Sequence, residues 1–316
     1  MAYSNAYTLY ANNIATTAGV DVFIKQVQDF AVDTAIQNAL RSADGDVDPT
    51  YVTVMNQSPR ISYTTTYLAT TLAVSSDAFM TAGLKIDSDT DDDGSEFWFR
   101  RCTEGGTRET GASHIKLTVN EGLLLPRTIT ATQGQPATLA LDTIITYDGT
   151  NDPIVLATSS SLEGTTGVSE LYTLGKVTIN DTDVDGVQSW VWDAGIREMV
   201  RGADGDVWPT YACIMDRMPT LTVTTPDVSL INTYGISGTA VSASDVIFYL
   251  RHCTEGGTRV ADATETHIKF TLDEGIIQTQ TINGSHPGEL LAQLIITPTY
   301  DGSNSIVVVD TTAAIT

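Results

Sequence analysis

The sequence R-S-A-D-G-D-V-D-P-T-Y at residues 41–51 recurs with two changes as R-G-A-D-G-D-V-W-P-T-Y at residues 201–211. The alignment continues beyond these blocks, because Met55 falls opposite Met215 at the same separation of 160 residues. A match of this length at a fixed separation indicates an internal duplication. We therefore expect the two halves of the chain to fold alike.

A second set of blocks extends the repeat. The motif C-T-E-G-G-T-R occurs at residues 102–108 and 253–259, and H-I-K occurs at 114–116 and 267–269. The separation here is only 151 to 153 residues, so the first copy carries extra residues between the two sets of blocks. The acidic run D-S-D-T-D-D-D-G-S-E at residues 87–96 accounts for them most simply, and we interpret it as an inserted loop.

The length of the chain agrees with two copies of one unit. A chain of 316 residues is long enough for about two domains of ordinary size. We place the first copy at residues 1–157 and the second at residues 169–316. Residues 158–168 are rich in Ser, Gly and Thr, which predicts a flexible linker between the copies.

Strand signals dominate both copies. Runs of alternating or β-branched residues end at Asp-Gly, Glu-Gly or Gly-Gly pairs, a pattern typical of hairpin-rich sheets. The predicted strands are residues 51–55, 61–74, 97–101, 114–119 and 143–147 in the first copy, and 220–225, 246–251, 267–272, 294–297 and 305–309 in the second.

Short helices are predicted at residues 132–143 and 284–295, where Gly and Pro precede a stretch rich in Ala and Leu. Residues 21–40 could also form a helix. Their counterpart at 177–196 is interrupted by Gly186 and by D-x-D turns, so both segments are predicted to be extended. The expected fold class is mainly β: two tandem homologous β-sandwich or β-barrel domains, each with a short flanking helix.

The composition predicts a folded, acidic protein. Hydrophobic residues make up 41% of the chain, and 16 basic against 39 acidic residues give a formal net charge of −23. A general phosphate-binding surface is not expected, because affinity for nucleic acid comes mainly from basic groups. The N-terminus has no signal-peptide pattern and no stretch approaches about 20 apolar residues, so we expect no membrane association and synthesis in a reducing cytoplasm.

No catalytic constellation is recognisable. His114 and His267 are repeat equivalents in strand-like segments, which favours structural roles over acid–base catalysis. Cys102 and Cys253 are also equivalent and are interpreted as buried, inert thiols. Together with Cys213 they cannot all pair within one chain and contain no C-x-x-C, so a disulfide framework or zinc site is not expected. We expect neither an enzyme nor a cofactor.

Two arginines end the repeated T-E-G-G-T-R motif. The Gly-Gly pair could expose backbone N–H groups to an anion, with Arg108 or Arg259 as the counter-charge. A tight turn that requires positive φ is the favoured interpretation. Both arginines stay candidates for assembly contacts, because guanidinium groups make bidentate bonds across interfaces.

Two acidic segments match the first half of a calcium-binding loop. Their carboxylates are Asp89, Asp91, Asp93, Asp181, Asp183 and Asp185. A complete EF-hand loop needs Glu at the twelfth position, where Arg100 and Trp192 stand instead. Solvated acidic turns are therefore the default interpretation, and a looser calcium site is the alternative.

Four segments together resemble the tail tube, or major tail, proteins of long-tailed bacterial and archaeal viruses. They are G-K-V-T-I-N-D-T-D-V at 175–184, A-D-G-D-V-W-P-T at 203–210, V-I-F-Y-L-R at 246–251 and T-Y-D-G-S-N at 299–304. The resemblance implies a β-sandwich or small barrel with a flanking helix, in subunits that stack as rings around a lumen for DNA.

The resemblance also carries expectations for the whole particle. Some members are similar to a fused pair of tube domains, so that three chains make a ring of six domains. It implies contact with other tail proteins, passage of DNA without specific binding, and a place in the virion tail after assembly in the host cytoplasm. We expect the lumen to be lined by an excess of carboxylates.

Two other structural classes stay open. One is another virion protein, such as a coat protein built from two jelly rolls. The other is a bacterial surface protein of tandem β-sandwiches, against which the odd number of cysteines and the lack of a signal-peptide pattern count.

Overall fold

The computed structural model of the chain describes most of its residues. These are residues 5–14, 22–42, 46–74, 76–87, 94–103, 106–111, 113–162, 170–203, 205–234, 237–254, 256–284 and 290–316. Strands dominate the described ranges, which confirms the mainly β prediction.

The first repeat contributes twelve strands and two helices to the described part of the chain. The strands are β1 (Asn5–Ile14), β2 (Val22–Ile24), β3 (Val27–Asp33), β4 (Gln37–Arg41), β5 (Tyr51–Asn56), β6 (Arg60–Thr65), β7 (Leu84–Asp87), β8 (Ser95–Thr103), β9 (His114–Val119), β10 (Glu121–Thr132), β11 (Thr138–Thr146) and β12 (Ile154–Ser160). Helices α1 (Leu68–Ala73) and α2 (Ser76–Ala82) lie between β6 and β7.

The second repeat follows the same succession. Its strands are β13 (Leu171–Ile179), β14 (Thr182–Asp183), β15 (Ser189–Asp193), β16 (Ile196–Arg201), β17 (Tyr211–Arg217), β18 (Thr220–Thr225), β19 (Thr239–Val241), β20 (Val246–Cys253), β21 (His267–Leu272), β22 (Glu274–Asn283), β23 (Leu291–Thr299) and β24 (Val307–Ala313). Helix α3 (Ser229–Tyr234) occupies the place of α1 and α2.

The two repeats also share one strand order. In the described ranges, the first repeat forms a five-stranded sheet β12-β9-β8-β1-β2, and the second forms the equivalent sheet β24-β21-β20-β13-β14. The remaining long strands of both repeats join in one ten-stranded central sheet, β19-β22-β23-β18-β15-β10-β11-β6-β3, in which β7 also pairs with β10. Strands β4-β5 and β16-β17 form two separate hairpins.

Even the irregularities of the sheets recur. The pairing of β10 with β11 shifts register between Pro126 and Thr128, and that of β22 with β23 shifts between Thr279 and Thr281, 153 residues later. A β-bulge at the same place in two strands is a feature of the fold and not an accident of packing. The sequence repeat is therefore matched by a repeat of backbone register.

The core lies between the central sheet and each five-stranded sheet. Alternate residues of β6 are buried, which places Tyr63 against Phe97 of β8 with ring centroids 5.3 Å apart. In the second repeat, Trp190 of β15 packs edge-on against Phe248 of β20 at 4.9 Å. Aromatic pairs of this geometry add stabilisation beyond the apolar area that they bury.

The predicted helices at 132–143 and 284–295 are wrong. Residues 138–146 and 291–299 are strands, and their burial alternates with a period of two in spite of the Ala and Leu content. The predicted strand at 61–74 is correct only up to Thr65, since α1 begins at Leu68. The extended prediction for 21–40 and 177–196 is confirmed in the described residues by β2 to β4 and β13 to β15.

The predicted linker is shorter than expected at its start. Strand β12 continues to Ser160, and residues 163–169 lie outside the described residues. None of the helices in the described ranges is long and apolar enough to cross a membrane.

Candidate assembly interface

The two repeats are joined edge to edge by β10 of the first and β15 of the second. The strands are antiparallel, with Ile129 opposite Trp192 and Thr132 opposite Ser189. Ile129 is 0% exposed and Trp192 is 1% exposed, so the joint is part of the hydrophobic core. We call the β10–β15 pairing the internal seam.

Strand β10 can take part in the seam because it is longer than β7, the other strand that pairs with the same edge of β10. Short strand β7 pairs only with residues 121–124 of β10, which leaves residues 128–132 for β15. The edge of one repeat thus receives the terminal strand of the other. An unpaired edge presents a row of N–H and C=O groups, and the seam satisfies these groups inside one chain.

The hairpin β16–β17 reinforces the seam by folding across the first repeat. Gly195 turns the chain at the end of β15, and the N–H of Ala194 donates to the carbonyl of Arg127 at 2.9 Å. At the far end of the hairpin, the carbonyl of Val207 accepts a hydrogen bond from the N–H of Gln57 (2.8 Å). The carbonyl of Pro209 accepts one from the N–H of Tyr147 (2.7 Å).

An ion-pair cluster fixes the hairpin to the sheet. Arg127 Nε donates to Asp142 Oδ2 at 2.8 Å, and Arg127 Nη2 lies 3.1 Å from Glu198 Oε2 of the hairpin. Arg60 pairs with both Glu198 and Asp142. The side chains of Arg127, Asp142 and Glu198 are 15–20% exposed and that of Arg60 is 38% exposed, so salt screens the cluster less than it screens fully exposed pairs.

The protonation of Glu198 reflects this cluster. Burial raises the pKa of the Glu198 carboxyl, but the hydrogen bond from Arg60 and the charges of Arg127 and Arg60 outweigh it, and the pKa lies below its ordinary value. The lowered pKa means that the carboxylate stabilises the folded chain at neutral pH.

The helices complete the contact between repeats. Helices α1 and α2 of the first repeat lie against β24, the last strand of the second. Beneath the hairpin, a cavity of about 750 Å³ separates β17 from the part of β10 near Gly122. The hairpin is therefore held mainly at the ion-pair cluster and at its two backbone contacts.

The counterparts of these two edges lie at opposite margins of the central sheet, mostly without a strand partner in the described residues. Strand β3 is the counterpart of β15, and in the described residues no strand pairs with its outer edge. Strand β22 is the counterpart of β10, and β19 covers only residues 275–277 of its outer edge. We call β3 and the free part of β22 the open edges.

Residues at the open edges are exposed where their counterparts in the seam are buried. Ile282, the counterpart of Ile129, is 46% exposed, and Val32, the counterpart of Trp192, is 37% exposed. Leu290, the counterpart of fully buried Ala137, is also exposed. Each open edge thus carries the apolar residues of a seam without its partner.

Most other exposed apolar residues extend these two surfaces. On the first-repeat side they are Ile36, Leu40, Val47, Tyr51, Val52, Val54 and Met55, in and around the hairpin β4–β5. On the second-repeat side they include Ile276 and Tyr300. The second hairpin also exposes Tyr211, Met215 and Met218. Exposed apolar patches of this extent indicate protein–protein contact.

The ion-pair cluster is not duplicated. The counterparts of Arg60, Arg127, Asp142 and Glu198 are Thr220, Gln280, Ile295 and Asn38. All four charges are replaced by uncharged residues. The internal seam and the open edges therefore share geometry but differ in chemistry.

The histidine predictions agree with the structure. His114 and His267 are buried, and the Nδ1 atom of each accepts a backbone hydrogen bond: from Arg101 at 3.1 Å and from His252 at 3.0 Å. Burial lowers the pKa of His114. Through Nδ1, the two rings tie β8 to β9 and β20 to β21. The cysteines are free, and Cys253 is buried whereas Cys102 is only partly so.

Short-range backbone hydrogen bonds join the described residues of the two T-E-G-G-T-R segments. The N–H of Thr103 donates to Thr107 at 3.0 Å, the N–H of Thr254 donates to Thr258 at 2.9 Å, and Gly106 has a φ of +83°. Arg108 and Arg259 end these segments, are exposed, and form isolated bridges to Cys102 and Cys253. Both lie outside the internal seam, and their role in assembly stays a prediction.

The carboxylates of the acidic segments are only partly described. Asp89, Asp91 and Asp93 lie outside the described residues. Asp183 pairs with Lys176 at 2.9 Å, next to the turn that contains Asp181 and precedes Asp185. Within the described ranges, no group of three or more His, Cys, Asp or Glu side chains is arranged to hold a metal ion.

The seam itself was not predicted from the sequence. The repeat supplied equivalent strands, but it contains no signal that selects β10 and β15 as the pair that meets. In the comparisons with known proteins, the chain matches no protein family and is significantly similar to none of the curated proteins.

Proposed function

We propose that this chain is a structural virion protein that assembles head to tail into rings, and that stacked rings form the tail tube through which viral DNA passes. The single observation that supports this proposal is the internal seam. It joins the two repeats through sheet edges, and the equivalent edges, β3 and the free part of β22, lie open at opposite margins of the central sheet.

The geometry of the edges favours a ring over a dimer. A joint between β3 of one copy and β22 of the next uses two different surfaces, so it is heterologous. Heterologous contacts form rings when the rotation between subunits closes, and open filaments when it does not. Three chains would give a ring of six equivalent repeats, with no sheet edge left free at these positions.

The open face of the central sheet, opposite the core, suits the wall of a DNA conduit. One row across five strands contains Thr132, Ser189, Thr224, Gln293 and Thr281, side by side and uncharged. Affinity for DNA needs cations that displace counterions from phosphates. Hydroxyl and amide groups in an acidic protein offer no such attraction. This row is uncharged, in contrast to the carboxylate-lined wall expected from the composition.

Electron microscopy of the purified protein in negative stain tests the assembly. We expect rings of three chains and tubes of stacked rings. Closed shells would instead favour a coat protein, and isolated monomers at every concentration would favour a tandem surface protein. Either result contradicts the tail tube proposal.

The conduit is tested by adding a cation to its wall. Thr224→Lys places an ammonium group on the open face, whereas Thr118→Lys places one on β9 of an outer sheet as the matched control. Assembled wild-type protein should not bind duplex DNA at low salt. Thr224→Lys tubes should retain DNA in a salt-sensitive manner more strongly than Thr118→Lys tubes. Tight binding by the wild type, or equal binding by both variants, contradicts the assignment of this wall.

A further inference from the structure

We infer that the joint between chains is formed by β3 and the hairpin β4–β5 of one copy, which dock on β22 and β23 of the next copy. The partner that docks on β22 and β23 is a second copy of this chain, and that part of the inference rests on the proposed function. The surface is argued from the internal seam alone, because the seam shows how one repeat of this sequence receives another.

The internal seam fixes the register of this joint. Ile129 opposite Trp192 becomes Ile282 opposite Val32, and Thr128 opposite Asp193 becomes Thr281 opposite Asp33. A shift of one residue would turn every side chain of the strand to the other face. The joint therefore has one register that buries both Val32 and Ile282.

The hairpin contacts follow from the same correspondence. In the seam, the carbonyl of Pro209 accepts a hydrogen bond from Tyr147. Between chains, the carbonyl of Pro49 would accept one from Tyr300, which is exposed in the single chain. The docked hairpin would cover the exposed side chains of Leu40 and Val54.

The joint between chains differs from the seam in the forces that hold it. Where Glu198 meets Arg127 in the seam, Asn38 meets Gln280 between chains, and Ile295 takes the place of Asp142. The charged cluster is replaced by uncharged contacts, so burial of apolar surface is the main driving force. Salt should therefore not weaken the joint, and it should reduce the repulsion between chains that each carry a net charge of −23.

Paired cysteine variants test the register. Chains with Val32→Cys and chains with Ile282→Cys are mixed and oxidised mildly, and disulfide-linked dimers are measured on a non-reducing gel. Val32→Cys mixed with Asn283→Cys is the matched control, one residue out of register. Each single variant alone and the wild type, with its three native cysteines, give the background.

The first mixture should give roughly tenfold more linked dimer than the control, because a disulfide needs Cβ atoms about 4 Å apart. A single chain that carries both Val32→Cys and Ile282→Cys should give a ladder that ends at the number of chains in the ring. Equal linkage in both mixtures overturns the register. Rings that form without linkage overturn this joint and leave the ring proposal standing, whereas a chain that stays monomeric overturns both.

A charge on the apolar surface tests the driving force. Ile282→Lys should abolish assembly and leave the melting temperature of the monomer unchanged, because the side chain is exposed in the single chain. For the wild type, the concentration at which half of the chains assemble should not rise between about 0.1 and 1 M salt, because screening also weakens the repulsion between acidic chains. A tenfold weakening of assembly in high salt would show that ion pairs hold the joint.

Discussion

The internal seam and the open edges have equivalent strands but different side chains at equivalent positions. In the seam, Trp192 fills the core and Glu198 completes an ion-pair cluster. At the open edge, Val32 and Asn38 occupy the equivalent positions, exposed and uncharged. Under the proposed assembly, the difference separates two tasks: the seam stays closed within one chain, whereas the open edges stay exposed until a second chain pairs with them.

The comparison also gives a physical reason for the replacement of the four charged residues by uncharged counterparts. A buried ion pair adds stability only when its partners are fixed and hydrogen-bonded, and partners on one chain are held together from the start. Two separate chains would have to desolvate both charges on association. Uncharged counterparts avoid that cost at a joint that forms later.

The largest effect is expected from truncating the core residue of the seam. Trp192→Ala should lower the free energy of unfolding by about 3–5 kcal/mol, because it leaves a cavity against Phe248. Val32→Ala at the equivalent edge position should change it by less than about 1 kcal/mol in the monomer. Urea denaturation of the two monomeric variants measures both values. Similar losses of unfolding free energy in the two variants would contradict the difference in burial between the seam and the open edge.

At the turn that leads into each hairpin, two reciprocal substitutions should change the stability of the chain in opposite directions. Gly195 has a φ of +54° and its position leaves no room for a Cβ, which would lie 2.0 Å from the carbonyl oxygen of Met218. Its counterpart Ala35 has a φ of +43° and the same hydrogen bond from its N–H to an Asp two residues earlier. Gly195→Ala should destabilise the chain by about 2 kcal/mol.

The reverse substitution, Ala35→Gly, relieves a left-handed alanine and should be neutral or stabilising by up to about 1 kcal/mol. Thermal unfolding of the two variants in parallel checks the signs. A loss of stability in Ala35→Gly would mean that this turn differs from that of Gly195.

The ion-pair cluster predicts a pH dependence confined to the seam. Glu198→Gln should cost about 1–2 kcal/mol at pH 7, since it removes a carboxylate bonded to two arginines. Because the pKa of Glu198 is lowered in the folded chain, its stabilisation is present above the unfolded value near 4.3 and is lost as pH falls through the folded value. The stabilities of wild type and variant should therefore converge as pH falls from the unfolded value through the lower folded value.

Asn38→Ala is the matched control at the open edge. It should leave the unfolding free energy of the monomer unchanged across this pH range. A wild-type advantage over Glu198→Gln that does not decrease as the pH is lowered from 7, as far as the chain stays folded, would show that the effect of the substitution is not electrostatic.

The smallest effect is expected from chelation. EDTA should leave the melting temperature within about 1 °C of its original value and should leave assembly intact, because neither acidic segment completes a calcium-binding loop. A large decrease that added Ca²⁺ restores would assign a metal site to these carboxylates.

The sequence predicted the mainly β fold and most strands, but not how the two repeats meet. Strand β6 was recognisable because its residues alternate in polarity, whereas Ala140 and Leu141 of β11 suggested a helix by propensity and form a strand by burial. Tertiary context overrides helix propensity in this way. The pairing of β10 with β15 depends on contacts between residues about 60 positions apart, which no local pattern encodes.

The charge cluster was invisible for a related reason. Arg60, Arg127, Asp142 and Glu198 lie on four different strands and share no motif. The alignment of the two repeats offered one signal, because each of these charged residues aligns with an uncharged residue in the other copy. Only the folded arrangement shows that all four of these residues lie at one contact.

Cryo-electron microscopy of the assembled protein tests the central claim most directly. The account predicts a closed ring in which β3 of each chain lies antiparallel to β22 of the next, with Val32 opposite Ile282 and the hairpin β4–β5 on the neighbouring sheet. A particle in which chains meet through other surfaces, with β3 and β22 still unpaired, would contradict it.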